Sequence, residues 1–334
     1  MVLVVLKRLA FLGPTLLIIT AVTFILSTVI PADPAQMAAG LEAGPEQVAR
    51  VRAELGLDRP IHEQYMRYLS RLVRGDLGRS MMTRRPVLED LALRLPVTVE
   101  LVLIVMVIYV FLSIPIGVHC AVHSGGLFDR IVRPVSVGLA AMPVFWLSLL
   151  LQLLFYRTLR ILPAVGRLSP DLIVPRISGM LLLDSLLAGS IRGFLDAVSH
   201  LVLPVTALVI GRLPVAIKQT RASMVGALSE QFVVTARAKG VLERKVVWRH
   251  ALKFAFIPVI TMLGLQFGWL LGGTVLVEVV FAIPGLGQYM VNAVAQMDLA
   301  PILGGTLVIA IVFVLMNTVV DIAYVLLDPR IRIS

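Results

Sequence analysis

Apolar residues gather into six long runs, at about 9–30, 97–119, 134–157, 199–217, 256–281 and 300–326, and polar residues are left to the segments between them. A helix needs roughly 20 apolar residues to cross the hydrocarbon core of a bilayer, so each run predicts one transmembrane helix. A further stretch, 179–188, is too short to span and is broken by Asp184, which predicts an interfacial or re-entrant piece. Six spans put both termini on one side of the membrane. Lys and Arg in short loops decide which side that is. Lys7 and Arg8 precede the first run, Arg130 and Arg133 follow the second, and Arg330 and Arg332 follow the sixth; all are expected on the cytoplasmic side. Residues 282–299 contain no Lys or Arg and read as external, while five Arg in 157–192 run mildly against the rule.

The segment 31–96 is long enough for the charge rule to lose force, and it carries folding signals of its own. Pro45 suits a first helical turn and Gly56 the residue past a helix end, predicting a helix over 46–55. Asp58 is placed to cap a second helix with Ile61, Tyr65, Tyr68, Leu69 and Leu72 on one face and Gly75 as its stop. An amphipathic helical hairpin on the outer face results, suited to a lipid surface or an external protein. The chain therefore divides into a cytoplasmic N-terminus with the first span (1–30), an extracytoplasmic helical segment (31–96) and a core of five spans (97–334). That core holds a basic cytoplasmic loop at 222–255.

With 58% hydrophobic and 15% charged residues, the composition is that of an all-α integral membrane protein, not a soluble domain. The first run exceeds the 7–15 residues or so of a cleavable signal core and reads as a retained anchor. A net charge of +10 fits basic residues collected beside an anionic lipid surface, so no nucleic-acid partner is inferred. One cysteine, Cys120, excludes an intrachain disulfide framework.

Enzymatic signatures are missing. No G-x-x-x-x-G-K-[ST] loop occurs, so the chain has no visible means of hydrolysing ATP, and no G-x-S-x-G occurs either. His62-Glu63 fails as a zinc helix because Met66 stands where the second histidine is needed, and His119, His123, His200 and His250 show no ligand spacing. No metal site or cofactor is expected in this chain.

The informative polar feature is 231–258, QFVVTARAKGVLERKVVWRHALKFAFIP. Between Lys218 and Lys253 eight Lys or Arg stand against Glu230 and Glu243, far more than a hairpin between two spans requires. It reads as a docking element for a soluble partner, or as an amphipathic helix lying on anionic lipid.

Landmarks along the whole chain carry a family resemblance: LGLDRPIHEQYMRYL at 55–69, GDLGRS at 75–80, TVEL at 98–101, PVFW at 143–146, TARAKG at 235–240, HALKFAFIP at 250–258, IPGLG at 283–287 and DPRIR at 328–332. In this order and spacing the chain resembles the membrane permease subunits of bacterial ATP-binding-cassette importers of the dipeptide, oligopeptide and nickel group. The resemblance implies a type I importer permease of six helices in the bacterial cytoplasmic membrane. Its implied partners are a second homologous permease, one or two cytoplasmic ATPases that bind ATP and Mg, an extracytoplasmic solute-binding protein and membrane lipid. It further implies that Glu230, Phe232, Thr235, Ala236, Arg237, Ala238, Lys239 and Gly240 form the ATPase-coupling loop. The motif that importers share, E-A-A with Gly four residues after the last Ala, is met here only by Ala236 and Gly240, with Val234 and Thr235 in the first two places. Small Thr235, Ala236 and Ala238 allow close approach to a protein cleft, Gly240 can turn the chain at positive φ, and Arg237 and Lys239 can pair with acidic groups on the cleft rim.

Gly264, Gly268 and Gly272 recur every four residues along the fifth run, a spacing that lets helices pack closely in lipid. Arg212, Gln266 and Glu278 are candidates for the solute pathway, because polar groups in spans face a bundle interior or a watery cavity. A guanidinium at 212 can meet a peptide carboxylate or pair with an acid on the partner permease. The insertion-like stretch 179–204 resembles dipeptide-type permeases; a nickel or metal-chelate permease is the alternative within the group. A gradient-driven secondary transporter would call for an acidic mid-membrane site and internal repeats, and neither is visible.

Overall fold

The computed structural model describes residues 2–29, 34–40 and 43–327, and every regular element within them is a helix. In chain order these are α1 (Val2–Val29), α2 (Pro34–Ala39), α3 (Pro45–Leu55), α4 (Ile61–Val73), α5 (Val87–Val122), α6 (Leu127–Ala140), α7 (Val144–Leu151) and α8 (Leu181–Leu187). They continue with α9 (Ile191–Leu228), α10 (Gln231–Ala238), the single turn α11 (Glu243–Lys245), α12 (Leu252–Val280), α13 (Leu286–Ala295) and α14 (Leu299–Leu327). A π-helical turn at Gln152–Thr158 extends α7, and another at Val246–Ala251 joins α11 to α12. Arg330, Arg332 and the DPRIR landmark lie outside the described residues.

Four helices among the described residues are long and apolar enough to cross a membrane: α5, α9, the continuous α11–α12 unit and α14. The expected straight span over 134–157 does not form. Its apolar run is shared by α6 and α7, which meet at an angle of 100° and together supply at most one more crossing. Pro143 lies at the break: it lacks an amide hydrogen and drives Met142 out of helical geometry, so hydrophobic continuity alone could not keep the helix straight. In α1 the apolar stretch among the described residues is Gly13–Leu26.

Both helices expected between 46 and 75 form, as α3 and α4, with two differences. Gly56 closes α3 in the left-handed region at φ 69°, but Pro60, not Asp58, occupies the N-cap position of α4 and no side chain caps it. Nor is the aromatic face of α4 free for an outside surface. The Tyr68 ring stacks on Phe24 of α1 at 5.8 Å, Tyr65 lies 5.4 Å from the same ring, and the Tyr65 hydroxyl donates to the Leu17 carbonyl at 3.1 Å. Burial beside Tyr65 pushes the Tyr68 phenol up to about 12, and its hydroxyl finds no partner. Apolar faces on α1 and α4 satisfy each other because burying two aromatic faces together removes more surface from water than leaving either exposed.

The main core is built where α5, α9 and α12 meet, with α7 against them. Val97, Leu101 and Val105 of α5 pack with Leu203, Leu208 and Val209 of α9, Phe267, Leu270 and Leu271 of α12, and Leu147 and Leu151 of α7. The short α8 is held at its start by Glu100 of α5, which accepts from the amides of Leu181 (3.0 Å) and Leu182 (2.7 Å) and pairs with Arg167. Asp184 of α8 is buried. Burial opposes its ionisation, but the Ser178 hydroxyl and the amides of Ser178 and Gly179 donate to it and hold its carboxyl below its ordinary value.

Candidate functional site

Helix α9 ends at Leu228, and the chain reverses through Ser229 and Glu230 into the eight-residue α10. Glu230 occupies the N-cap position without a side-chain cap, its carbonyl accepting from the Val233 amide at 3.0 Å. One side chain fastens this helix to the membrane core. Val233 is fully buried among Ile114 and Val118 of α5, Met224 and Ala227 of α9, and Val246, Val247 and Ala251 of the following turn. Ala236 lies on the same inward side, packed against that cluster.

The remaining face is open. Phe232, Val234, Thr235, Arg237, Ala238, Lys239 and Gly240 are exposed, with Val234 at 50% of its possible area. The Phe232 ring lies 5.4 Å from Phe254, and Leu242 and Trp248 continue the exposed apolar surface. Lys239, Arg244, Lys245 and Arg249 stand around it, all exposed. Thr235 donates to the Gln231 carbonyl at 3.0 Å, so its hydroxyl is satisfied within the helix and only its methyl and surface contour are presented. Gly240 adopts φ 73° with nothing within 4 Å of where a Cβ would stand, which lets Val241 return a 3.1 Å hydrogen bond to the Ala236 carbonyl. The π-helical turn turns Val246, Val247 and Ala251 inward while Trp248, Arg249 and His250 face out.

Two of the expected residues have partners within the chain. Ala236 packs partly inward and stays partly exposed. Arg237, itself exposed, forms two hydrogen bonds with the exposed Glu243, at 2.6 and 3.1 Å, which brace the loop across its turn. Lys239 remains a free exposed cation of the pair expected there.

Behind the loop a clasp ties α6 to α9 and to the turn that follows α5. Asp129 of α6, fully buried, accepts from Arg221 of α9 at 2.7 and 3.0 Å, from Arg133 at 3.0 Å and from the Gly125 amide at 2.9 Å. In the sequence Arg133 is an orientation marker, and Asp129 is not among the expected functional residues. Its only signal there is that of a lone acid beside the basic Arg130 and Arg133.

The three polar span residues separate. Glu278 is fully buried at the C-terminal end of α12, accepting from the Thr98 hydroxyl at 2.6 Å and from the Gln288 amide at 3.0 Å, while Thr98 accepts from the Leu286 amide at 2.8 Å. It is the fastening of the IPGLG turn and presents no free oxygen to a path. A Cβ at Gly285 would stand 2.5 Å from its carboxylate, and one at Gly287 would meet the Val275 backbone at 2.6 Å. The TVEL and IPGLG landmarks are thus two halves of one structure, a link that neither segment shows alone. Arg212 and Gln266, by contrast, lie midway along α9 and α12, and Arg212 stacks on Trp269. Gly264 and Gly268 abut Val320 and Phe313 of α14, so packing within the chain accounts for them; Gly272 meets no neighbour among the described residues.

An all-helical core of long apolar helices, carrying a short helix on a buried hydrophobic foot with an open apolar and basic face, defines a multi-pass membrane component. Comparison with known proteins gives its family. Residues 113–333 match the binding-protein-dependent transport system inner membrane component and residues 1–102 match the N-terminal region of such membrane components. The chain belongs to this family, the permease subunits of ATP-binding-cassette importers. It is 39% identical to the dipeptide transport system permease protein DppB of Escherichia coli strain K12, over 98% of both chains. It is 40% identical to the di/tripeptide transport system permease protein DppB of Pseudomonas aeruginosa, over 98% of this chain and 97% of that one. To the glutathione transport system permease protein GsiC of Salmonella paratyphi A it is 39% identical over 98% of both.

Proposed function

We propose that this permease forms half of the membrane pathway of an importer of dipeptides or oligopeptides, and that α10 is its coupling helix. The observation that carries this is the division of α10 between a buried Val233 and an exposed face of Phe232, Val234, Thr235 and Ala238 ringed by Lys239, Arg244 and Lys245. A helix lying on lipid would turn its apolar side to the acyl chains. Here the inner apolar side is occupied by the protein's own core, and the outer face has the small and apolar side chains, with basic surroundings, that a protein cleft accepts.

In this reading α1, α5, the α6–α7 pair, α9, α12 and α14 are six crossings with both termini in the cytoplasm. A second homologous permease completes the pathway, an extracytoplasmic binding protein delivers solute, and cytoplasmic ATPases bind ATP and Mg. The buried foot at Val233 transmits ATPase movement directly into α5, α9 and the start of α12. The permease itself breaks no bond. The peptide assignment rests on full-length similarity to permeases named for di- and tripeptides and glutathione.

The test is co-purification of the tagged chain in mild detergent, with uptake of a labelled dipeptide measured in the same strains. Val234→Glu and Ala238→Glu alter the open face without entering the core. Both are expected to keep the permease pair and lose the ATPases together with uptake. Retention of ATPases and uptake by both variants would refute the docking assignment.

A further inference from the structure

A second cluster lies midway along the spanning helices, where α5, α9 and α12 meet. Tyr109, Ala216 and Met262, one from each helix, pack at a common level, the Tyr109 hydroxyl lying 3.4 Å from the Met262 sulfur. α9 and α12 run in opposite directions, so one turn outward from that level stand Arg212 and Gln266. The next turn of α12 brings Trp269, and the Arg212 guanidinium lies over its indole. The indole is held from its other side as well: a Cβ at Gly273 would meet the ring at 2.7 Å, so only glycine lets it lie flat along the helix.

This arrangement leaves hydrogen-bonding capacity unused. Arg212 Nε is buried with no partner, and no carboxylate among the described residues pairs with the guanidinium. Gln266 is 8% exposed, and its Oε1 also lacks a partner. A charged group inside a membrane span and a buried amide oxygen are both costly when left unsatisfied, so their joint persistence at one level calls for a ligand. Trp269 is 41% exposed, so the stack opens at the surface of this chain and is not sealed in its core.

We infer that Arg212, stacked on Trp269 and flanked by Gln266, is a transient binding site for a carboxylate-bearing peptide in transit. The face of the guanidinium is taken by the indole, which leaves its N–H edge for a carboxylate, the geometry in which Arg binds planar anions best. Gln266 Oε1 accepts from a peptide N–H beside that carboxylate. Cation–π contact holds the guanidinium in place without neutralising it, so the site keeps an attraction for an anion that a salt bridge would abolish. Modest affinity suits a pathway, because a solute bound too tightly at one station would not leave it.

This inference rests on the peptide reading above, and the experiment separates the two. The assembled transporter in proteoliposomes is given its binding protein, ATP and a labelled dipeptide with a free carboxyl terminus. Wild-type uptake tests the peptide reading; the variants Arg212→Gln, Arg212→Lys and Gln266→Leu test the site. The expected result is an intact permease pair and intact ATP hydrolysis in response to the binding protein, with uptake reduced about tenfold or more in Arg212→Gln, the equivalent of one charge-assisted contact. Arg212→Lys recovers part of this, since it restores the charge but not the planar edge, and Gln266→Leu shows a smaller loss. Unchanged uptake in Arg212→Gln would overturn the inference. So would loss of the permease pair in that variant, which would make Arg212 the counterpart of an acid on the second permease.

Discussion

Thr98→Val tests whether the TVEL and IPGLG segments form one structural unit. The substitution preserves shape and removes only a hydroxyl that donates to Glu278 at 2.6 Å and accepts from the Leu286 amide at 2.8 Å. Thr98 is 2% exposed and Glu278 fully buried, so water cannot replace either contact. A side-chain hydrogen bond contributes about 0.5–1.5 kcal/mol net, and a buried amide left without an acceptor costs about 1–3 kcal/mol more. The expected loss is therefore roughly 1.5–4.5 kcal/mol, concentrated where α5, the end of α12 and the start of α13 meet. Thr98→Ser keeps both contacts and loses one methyl group, at a cost of about 1 kcal/mol. The assay is thermal unfolding of the wild type and the two variants in one detergent, followed by the loss of monodisperse permease, together with hydrogen exchange at 283–290. The Thr98→Val protein should unfold at markedly lower temperature than the Thr98→Ser protein and expose the Leu286 amide. Equal stability of the two variants would refute the reasoning, because it would mean that the hydroxyl carries no weight there.

Gly285→Ala should be at least as damaging as Thr98→Val, since its Cβ stands 2.5 Å from the Glu278 carboxylate, whereas Gly272→Ala, with nothing within 4 Å, should be neutral in the same unfolding assay. Arg221→Ala leaves the buried Asp129 carboxylate with only the partly exposed Arg133 and one backbone amide, and should cost on the order of 3 kcal/mol, while the paired change Arg221→Met with Asp129→Leu should recover most of it in a double-mutant comparison. Asp184 has a depressed carboxyl value, so its stabilising contribution is present above the ordinary carboxylate range and is lost as pH falls through the lowered value. Protease sensitivity of 178–190 should accordingly rise only at strongly acidic pH in the wild type, and should be high and pH-independent in Asp184→Ala.

Much of this protein was legible in its sequence, because the properties concerned are local. A run of 20 or so apolar residues crosses a bilayer whatever its neighbours do. Basic residues clustered around 218–253 mark an exposed polar element between two spans, and Pro45 and Gly56 bound a helix through their own backbone preferences. The aromatic stripe of α4 was also readable, but not its destination. Whether Tyr65 and Tyr68 meet lipid, a receptor or Phe24 depends on where α1 passes, and periodicity carries no such information.

Within the segment 230–240 the same division holds. The residues 230–240 were recognisable, but the decisive inward side chain, Val233, is one of two adjacent valines, and only the packing distinguishes it from the exposed Val234. Only the fold brings Glu243, six positions later, across the turn to meet Arg237. Trp269 carries no signal in the sequence, because an indole in an apolar span is ordinary until a guanidinium from another helix lies upon it.

The sequence by itself therefore determined the number and place of the apolar runs, the basic loop and the family, all of which follow from composition and short motifs. Tertiary structure alone decided that the third run bends at Pro143, that Glu278 fastens a turn, and that Arg212 keeps an unpaired edge over Trp269. The reason is physical: burial and charge state depend on which groups the fold brings together. Thr98 and Glu278, 180 positions apart, become one hydrogen-bonded unit only when α5 and α12 are side by side.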